Sequence, residues 1–102
     1  MKVDLNLAPV MFEILELSNA HIPEHTARAI DGGYMPEGIM LISVHDTGWM
    51  FYMADPLPRT TLRLQGHGEL AALLALAEKH GCYYLKLDAD AQVVDGLPIF
   101  DW

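Results

Sequence analysis

The sequence is poor in basic residues, has a single cysteine and contains no long apolar run. Only six of its 102 residues are Lys or Arg, against fourteen Asp and Glu, and the six form no cluster. Proteins that bind nucleic acids or anionic lipids need a basic surface, so direct binding of DNA, RNA or a membrane is not expected. The lone Cys82 excludes an internal disulfide. No stretch approaches the roughly 20 apolar residues that a membrane-spanning helix needs.

The first residues also lack the layout of a secretory signal, because Asp4, Glu13 and Glu16 interrupt the apolar runs. We therefore expect a cytoplasmic protein. Hydrophobic residues make up 52% of the sequence and charged residues 20%, a globular balance, and the length predicts a single domain over residues 1–102. The net charge of −8 favours either simple solubility or contact with a basic protein surface.

Two segments are predicted to be helices. The first runs from Pro23 to Ile30, because proline suits a first helical turn and the following Gly32-Gly33 stops a helix. The second spans residues 67–80 and ends before Gly81. One stripe of this second helix is apolar at helical spacing, with Leu70, Leu73, Leu74 and Ala77.

Strand patterns occupy residues 10–17, 39–54 and 83–88. The middle one consists of two apolar runs joined by His45-Asp46-Thr47-Gly48, which suits a tight reversal. Both arms are apolar on both faces, so the hairpin is predicted to lie mid-sheet or under a partner. Residues 55–65 are predicted to be a proline-restricted loop with a short edge strand over 60–65.

The element order β-α-β-β-α-β predicts an α+β fold, with two helices on one face of a mostly antiparallel sheet, ferredoxin-like or a variant of it. In the ferredoxin-like order the first and last strands are antiparallel neighbours. The loops that follow these two strands are then expected at opposite ends of the sheet.

Polar residues that can carry chemistry follow the first strand. Ser18, Asn19 and His21 stand before a helix N-terminus, where such residues either bind a ligand or cap the helix and support it structurally. His21 and His25 are four apart, a spacing that zinc sites use on one helix face. Pro23 lies between them, however, and no third ligand has diagnostic spacing.

A second candidate group, Asp88, Asp90 and Asp95, follows the last strand. Alternating carboxylates bind divalent cations, or raise one another's pKa for acid–base work, and a solvated turn is the alternative. The metal-ligand candidates of the sequence are His21, His25, Asp88 and Asp90. Since none of them belongs to a complete ligand motif, we predict neither a bound metal nor a cofactor.

Two segments resemble a known family. Residues 18–27 resemble a Ser-Thr-Ala-His-Ile segment that a helix follows, and residues 82–102 resemble a Cys-aromatic-strand-Asp-x-Asp ending that closes in Leu-Pro-x-aromatic-Asp-Trp. The chain is thereby similar to small bacterial proteins of unknown function, often carried on plasmids and genomic islands. It departs from the pattern at Asn19, where Thr is expected, and at Ala89, where a basic residue is expected. The resemblance implies a bacterial cytoplasmic protein and no particular activity.

Three functions remain open. The favoured one is a protein-interaction or accessory module, with self-association as one form, because the hairpin is apolar and no catalytic signature is present. The alternative is a small ligand-binding domain or metal-dependent enzyme that uses the His21 loop and the Asp88/Asp90 loop. The weaker alternative is an acidic decoy of a nucleic-acid-binding protein. In each case Trp102 is expected to pack back onto the domain or onto a partner.

Overall fold

The computed structural model describes residues 13–52 and 57–102 of the chain. Among these residues no helix combines the length and apolar character that crossing a membrane requires. The fold of the described residues is α+β with a mixed sheet. Its elements are β1 (Ile14–Ser18), a 3-10 turn (Asn19–His21), α1 (Glu24–Asp31), β2 (Met40–His45), β3 (Gly48–Tyr52), α2 (Leu57–Leu64), α3 (Gly68–Lys79) and β4 (Tyr84–Asp88).

The two predicted helices are confirmed as α1 and α3. Pro23 precedes α1 with an extended backbone, and Glu24 lies in its first turn, where the helix dipole favours an anion. The residues that α3 buries include the predicted apolar stripe. Gly81 follows α3 with a φ of 72°, a conformation that glycine adopts without strain.

The predicted strands are confirmed as far as the structure describes them. β1 covers the described part of the strand predicted over residues 10–17, and residues 10–12 lie outside the described ranges. β2 and β3 form the predicted hairpin, joined by the two-residue turn Asp46-Thr47. Residues 53 and 54 of the second arm also lie outside the described ranges.

Residues 57–64 form a helix, so the loop and edge strand predicted there are wrong. A strand would carry Leu62 and Leu64 on one face. In the helix Leu62 is buried, whereas Leu64 is 84% exposed. Arg59 Nη1 also lies 2.6 Å from Oε2 of Glu78 on α3. Packing against α3 therefore overrides the weak local preference for a strand.

The sheet order is β1-β4-β3-β2, and β1 pairs parallel with β4. A ferredoxin-like order pairs these two strands antiparallel, so the predicted topology differs from the structure. The reason is the additional helix α2. A single helix after β3 would carry the chain to the opposite end of the sheet, and β4 would then run parallel to β3. Two helices return the chain to the end where β3 stops, so β4 runs antiparallel to β3 and parallel to β1.

One face of the sheet shares a continuous core with the helices. Three helices contribute to this core, where the sequence predicted two. Phe51 of β3 and Leu85 of β4 are fully buried at its centre. The core residues are Leu17, Ile22, Ala27, Ile30, Trp49, Phe51, Leu62, Leu70, Ala71, Leu73, Leu74, Ala77, Leu85 and Leu87.

Candidate functional site

Polar residues that follow different strands meet at one end of the sheet. Ser18 pairs with Asp88 in the parallel β1–β4 ladder, Asp88 pairs with Gly48, and Gly48 pairs with His45. These four residues form one row across the sheet, which we call the end row. Because β1, β2 and β4 all stop there, the loops after β1 and β4 lie at the same end of the sheet.

The imidazole of His45 lies next to the carboxylate of Asp88. Only Gly48, which has no side chain, stands between these residues in the end row. Nε2 of His45 is 3.4 Å from Oδ2 of Asp88. That nitrogen is buried and has no hydrogen-bond partner among the described residues, whereas the side chain of His45 as a whole is 29% exposed. The ring of His45 therefore has one nitrogen buried beside Asp88, while another part of the side chain is in contact with solvent.

Asp88 is held as an anion. Its Oδ1 accepts the backbone N–H of Asp90 at 2.9 Å, and the hydroxyl of Thr47 donates to the same carboxylate. These two bonds, with smaller contributions from Lys86 and His45, hold the pKa of Asp88 below its ordinary value, although burial acts in the opposite direction. A proton donor at neutral pH needs a raised pKa, so this shift favours a charge-bearing role over an acid role.

A cleft of about 270 Å³ opens beside the end row. Its lining contains both tryptophans of the chain and two carboxylates, and it contains no Lys or Arg from residues 13–52 and 57–102. Concave sites with aromatic walls and a few polar groups are typical of ligand and protein contacts. The lining residues are Asn19, Asp31, His45, Asp46, Thr47, Gly48, Trp49, Ala89 and Trp102.

Hydrogen bonds fix the walls of this cleft. Nε1–H of Trp49 donates to Oδ1 of Asp31 at 2.8 Å and joins β3 to the end of α1. The carbonyl of Thr47 accepts the backbone N–H of Ala89 at 2.8 Å and Nδ2–H of Asn19 at 3.3 Å. The β2–β3 turn is thus tied to the loops after β1 and β4. Asn19 and Ala89, where the sequence departs from the resembled pattern, both line the cleft.

His21 is fully buried and does not line the cleft. Its Nε2 accepts the backbone N–H of Val94 at 3.0 Å, so in the neutral ring the proton is on Nδ1. Nδ1–H donates to the carbonyl of Pro98 at 2.7 Å. Both ring nitrogens are therefore bonded to residues 94–102, which we call the strap.

The strap is fastened at two further points, one on the 3-10 turn and one on the residue after it. The backbone N–H of Phe100 donates to the carbonyl of Ala20 at 2.7 Å, and Nε1–H of Trp102 donates to the carbonyl of Ile22 at 2.8 Å. Trp102 as a residue is still 49% exposed. Trp102 thus packs back onto the domain and also presents ring surface to the cleft.

The other candidates from the sequence have separate surroundings. Oγ of Ser18 accepts the backbone N–H of Ala20 at 3.1 Å and caps the 3-10 turn. Asp90 is exposed and donates its backbone N–H to Asp88. Within residues 13–52 and 57–102 there is no group of three or more His, Cys, Asp or Glu that could hold a metal ion. The metal-ligand candidates His21, His25, Asp88 and Asp90 are therefore not assembled into such a group.

His25 belongs to a different cluster, between α1 and the α2–α3 junction. Its Nε2–H donates to the carbonyl of Gly66 at 2.7 Å, and its ring stacks on His67 with centroids 5.3 Å apart. Nδ1 of His67 is hydrogen-bonded to the hydroxyl of Thr26 at 2.8 Å. Burial, followed by the charge of His25, lowers the pKa of His67, while Glu69 acts in the opposite direction. A neutral His67 thus joins two helices without burying a charge.

Sequence reasoning missed His45, Thr47 and Trp49 as site residues. In the sequence they belong to a hairpin turn and its strand, and their nearness to Asp88 depends on the strand order. The one local signal is the glycine after the turn, because a glycine inside a strand often marks close backbone approach.

These features define a small α+β domain with a tryptophan-lined cleft at one end of its sheet. The profile described as "Family of unknown function (DUF5983) C-terminal domain" matches residues 14–102. The chain belongs to this family. No curated protein and no solved structure matches the chain. The family description assigns no activity, in agreement with the resemblance to proteins of unknown function.

Proposed function

We propose that this domain is a cytoplasmic protein-interaction module that receives its partner at the cleft beside the end row. The observation that carries the proposal is the composition of the lining, where both tryptophans of the chain meet. Tryptophan is the residue most enriched among those that dominate binding energy at protein interfaces. Trp102 is half exposed, so a partner gains buried apolar area by covering it.

The charge of the domain favours a basic partner. The chain carries a net charge of −8, and in the part of the chain that the structure describes no Lys or Arg lines the cleft. Complementary charge speeds encounter and suppresses wrong partners. A basic nucleic-acid-binding protein is one such partner, and the decoy hypothesis is the special case in which the module occupies that protein's nucleic-acid site.

An enzymatic role has less support. Both nitrogens of His21 are bonded to the strap, and the carboxylate of Asp88 is engaged by Asp90 and Thr47. His45 is then the remaining candidate base at the cleft, and the oxygen that faces it belongs to Asp88. This pair supplies no nucleophile, so binding explains the geometry with fewer assumptions than catalysis does.

The experiment is selection from a phage-displayed library of random linear peptides, followed by calorimetric titration of the selected peptides. We expect Trp102→Ala to weaken their binding at least tenfold, because hot-spot truncations commonly cost about 1.4 kcal/mol or more. Leu64→Ala is the matched control, since Leu64 is the more exposed apolar residue and lies on α2, outside the cleft. Peptides that bind the Trp102 variant as tightly as the parent, or a library that yields no binder, would contradict a contact site here.

Self-association is a second proposal, supported by a different surface. Met40, Ile42 and Val44 of β2 are 47%, 47% and 65% exposed, and β2 is at the end of the described strand order. Exposed apolar side chains along one strand favour pairing with a second copy. Sedimentation at micromolar concentration is expected to show a dimer that Ile42→Lys converts into a monomer. A parent protein that sediments as a monomer removes this proposal and leaves the cleft untouched.

A further inference from the structure

We propose that the cleft receives one cationic side chain, an arginine or a lysine, of the partner polypeptide. This inference rests on the proposed interaction function and adds the chemistry of the group that is recognised. It is carried by two carboxylates and two tryptophans that line one cleft together with His45, while no Lys or Arg of the described residues lines it.

The electrostatics of the cleft favour a cation. Asp31 uses Oδ1 to accept the indole N–H of Trp49, which leaves Oδ2 without a partner in the described residues. Asp46 lies in the β2–β3 turn, is exposed and takes part in no ion pair there. The nearby ammonium of Lys86 is 3.5 Å from Glu16 and 3.6 Å from Asp88 and does not line the cleft. The charge of Asp31 and Asp46 is therefore available to a ligand.

The aromatic walls add a second attraction for the same group. The face of an indole ring attracts ammonium and guanidinium groups more strongly than the ring of Tyr or Phe does. The N–H groups of Trp49 and Trp102 are already bonded, to Asp31 and to the carbonyl of Ile22. Both rings are thus held in position before the ligand arrives, which lowers the entropy lost on binding.

The same observations disfavour other occupants. A divalent metal ion needs several carboxylate or imidazole ligands, and the described residues offer no group of three. A small free amine would leave the rim of the cleft uncovered, where Asp46, Ala89 and Trp102 are exposed. A polypeptide that carries the cation covers this rim as well, which is why we assign the cation to a partner protein.

The experiment uses acetyl-Gly-Arg-Gly-amide, its lysine counterpart, and the citrulline counterpart, which replaces guanidinium by a neutral group of the same shape. Because both tryptophans of the chain line the cleft, intrinsic fluorescence reports its occupancy. We expect the arginine and lysine peptides to change the emission, and the citrulline peptide to bind at least tenfold more weakly. Asp46→Asn is expected to reduce that difference, because it removes one of the two carboxylates.

Two matched variants keep the result interpretable. Asp31→Asn retains an oxygen for the indole N–H of Trp49 and removes only the charge, so it is expected to behave like Asp46→Asn. Asp95→Asn removes an exposed charge outside the lining and is expected to bind like the parent. If Asp31→Asn does not fold, Asp46→Asn in the exposed turn decides the question.

The outcomes separate this inference from the proposed function. If the arginine and citrulline peptides bind equally, or if the selected peptides bind the parent and Asp46→Asn equally, the cleft does not recognise a cation. The proposed interaction module is unaffected by that result. Free arginine or choline that binds as tightly as the tripeptides overturns the assignment to a partner side chain. If magnesium or calcium chloride changes the emission at lower concentration than the peptides do, the cleft is a metal site and the proposal of an organic cation is wrong. If neither these peptides nor selected ones bind, both proposals fall.

Discussion

Replacing Gly48 with alanine is expected to lower the free energy of unfolding by about 3 kcal/mol or more. A Cβ atom at this position would overlap the carbonyl oxygen of Leu87, and it would lie 2.7 Å from the carbonyl carbon of Leu87 and 3.0 Å from Cα of Asp88. All three are backbone atoms of β4, so no side-chain rotation relieves the overlap. β3 and β4 have to separate, and β4 is the strand that also pairs with β1.

Urea unfolding followed by circular dichroism measures this loss by linear extrapolation. Gly68→Ala is the matched control, because nothing lies within 4 Å of a Cβ added to this first residue of α3. The control is expected to be neutral or up to about 1 kcal/mol more stable, since alanine is the better helix former. A Gly48 variant that unfolds at the midpoint of the parent would show that the strands do not approach this closely.

The same substitution is also expected to change the site. His45 reaches Asp88 across Gly48, and the carbonyl of Thr47 in the adjoining turn accepts the N–H of Ala89. Separation of β3 from β4 weakens both contacts. Gly48 is therefore required for the cleft as well as for the sheet, although it contributes no side chain.

Much of the secondary structure follows from the sequence, because its patterns are local. The apolar stripe of α3 and the glycine after it define a helix without any knowledge of the rest of the fold. The hairpin of β2 and β3 follows equally from two apolar runs around a short polar turn. In both cases the residues that determine the element are contained in it.

The topology does not follow, because it depends on one ambiguous segment. Residues 57–64 alternate at one end as a strand does, and only contact with α3 makes them a helix. If a strand is predicted for this segment, only one helix remains between β3 and β4, and the predicted direction of β4 is then the reverse of the observed one. The loop after β4 then moves to the wrong end of the sheet, and the pairing of His45 with Asp88 becomes invisible from the sequence.

The two segments that carry the resemblance to a family contact each other. Residues 20–22 of the first hold residues 94–102 of the second through hydrogen bonds at His21, Ala20 and Ile22. A distinctive sequence motif can thus have a structural role, and His21 is an example. From the sequence, a histidine at the end of a strand equally suggests a catalytic base, because its partners are more than 70 residues away.

Replacing His21 with alanine is expected to lower the free energy of unfolding by roughly 3 kcal/mol. The substitution removes both hydrogen bonds to the strap and leaves the N–H of Val94 and the carbonyl of Pro98 without partners. It also opens a cavity, because the imidazole is fully buried. His80→Ala is the control for loss of a histidine, since His80 is exposed after α3, and it is expected to change stability by less than about 0.5 kcal/mol.

A second substitution distinguishes a local loss of packing at His21 from detachment of the strap. His21→Phe leaves no cavity, since its ring is somewhat larger than imidazole, but it supplies neither hydrogen bond, so the strap should still loosen. Amide exchange at Val94 and Phe100 is therefore expected to accelerate in both His21 variants and to stay at the parent rate in His80→Ala. The emission of Trp102 should shift to the red in parallel, because its indole N–H loses the carbonyl of Ile22 when the strap moves. Unchanged exchange at Val94 in both variants would mean that His21 does not hold the strap, and its two buried nitrogens would then need another explanation.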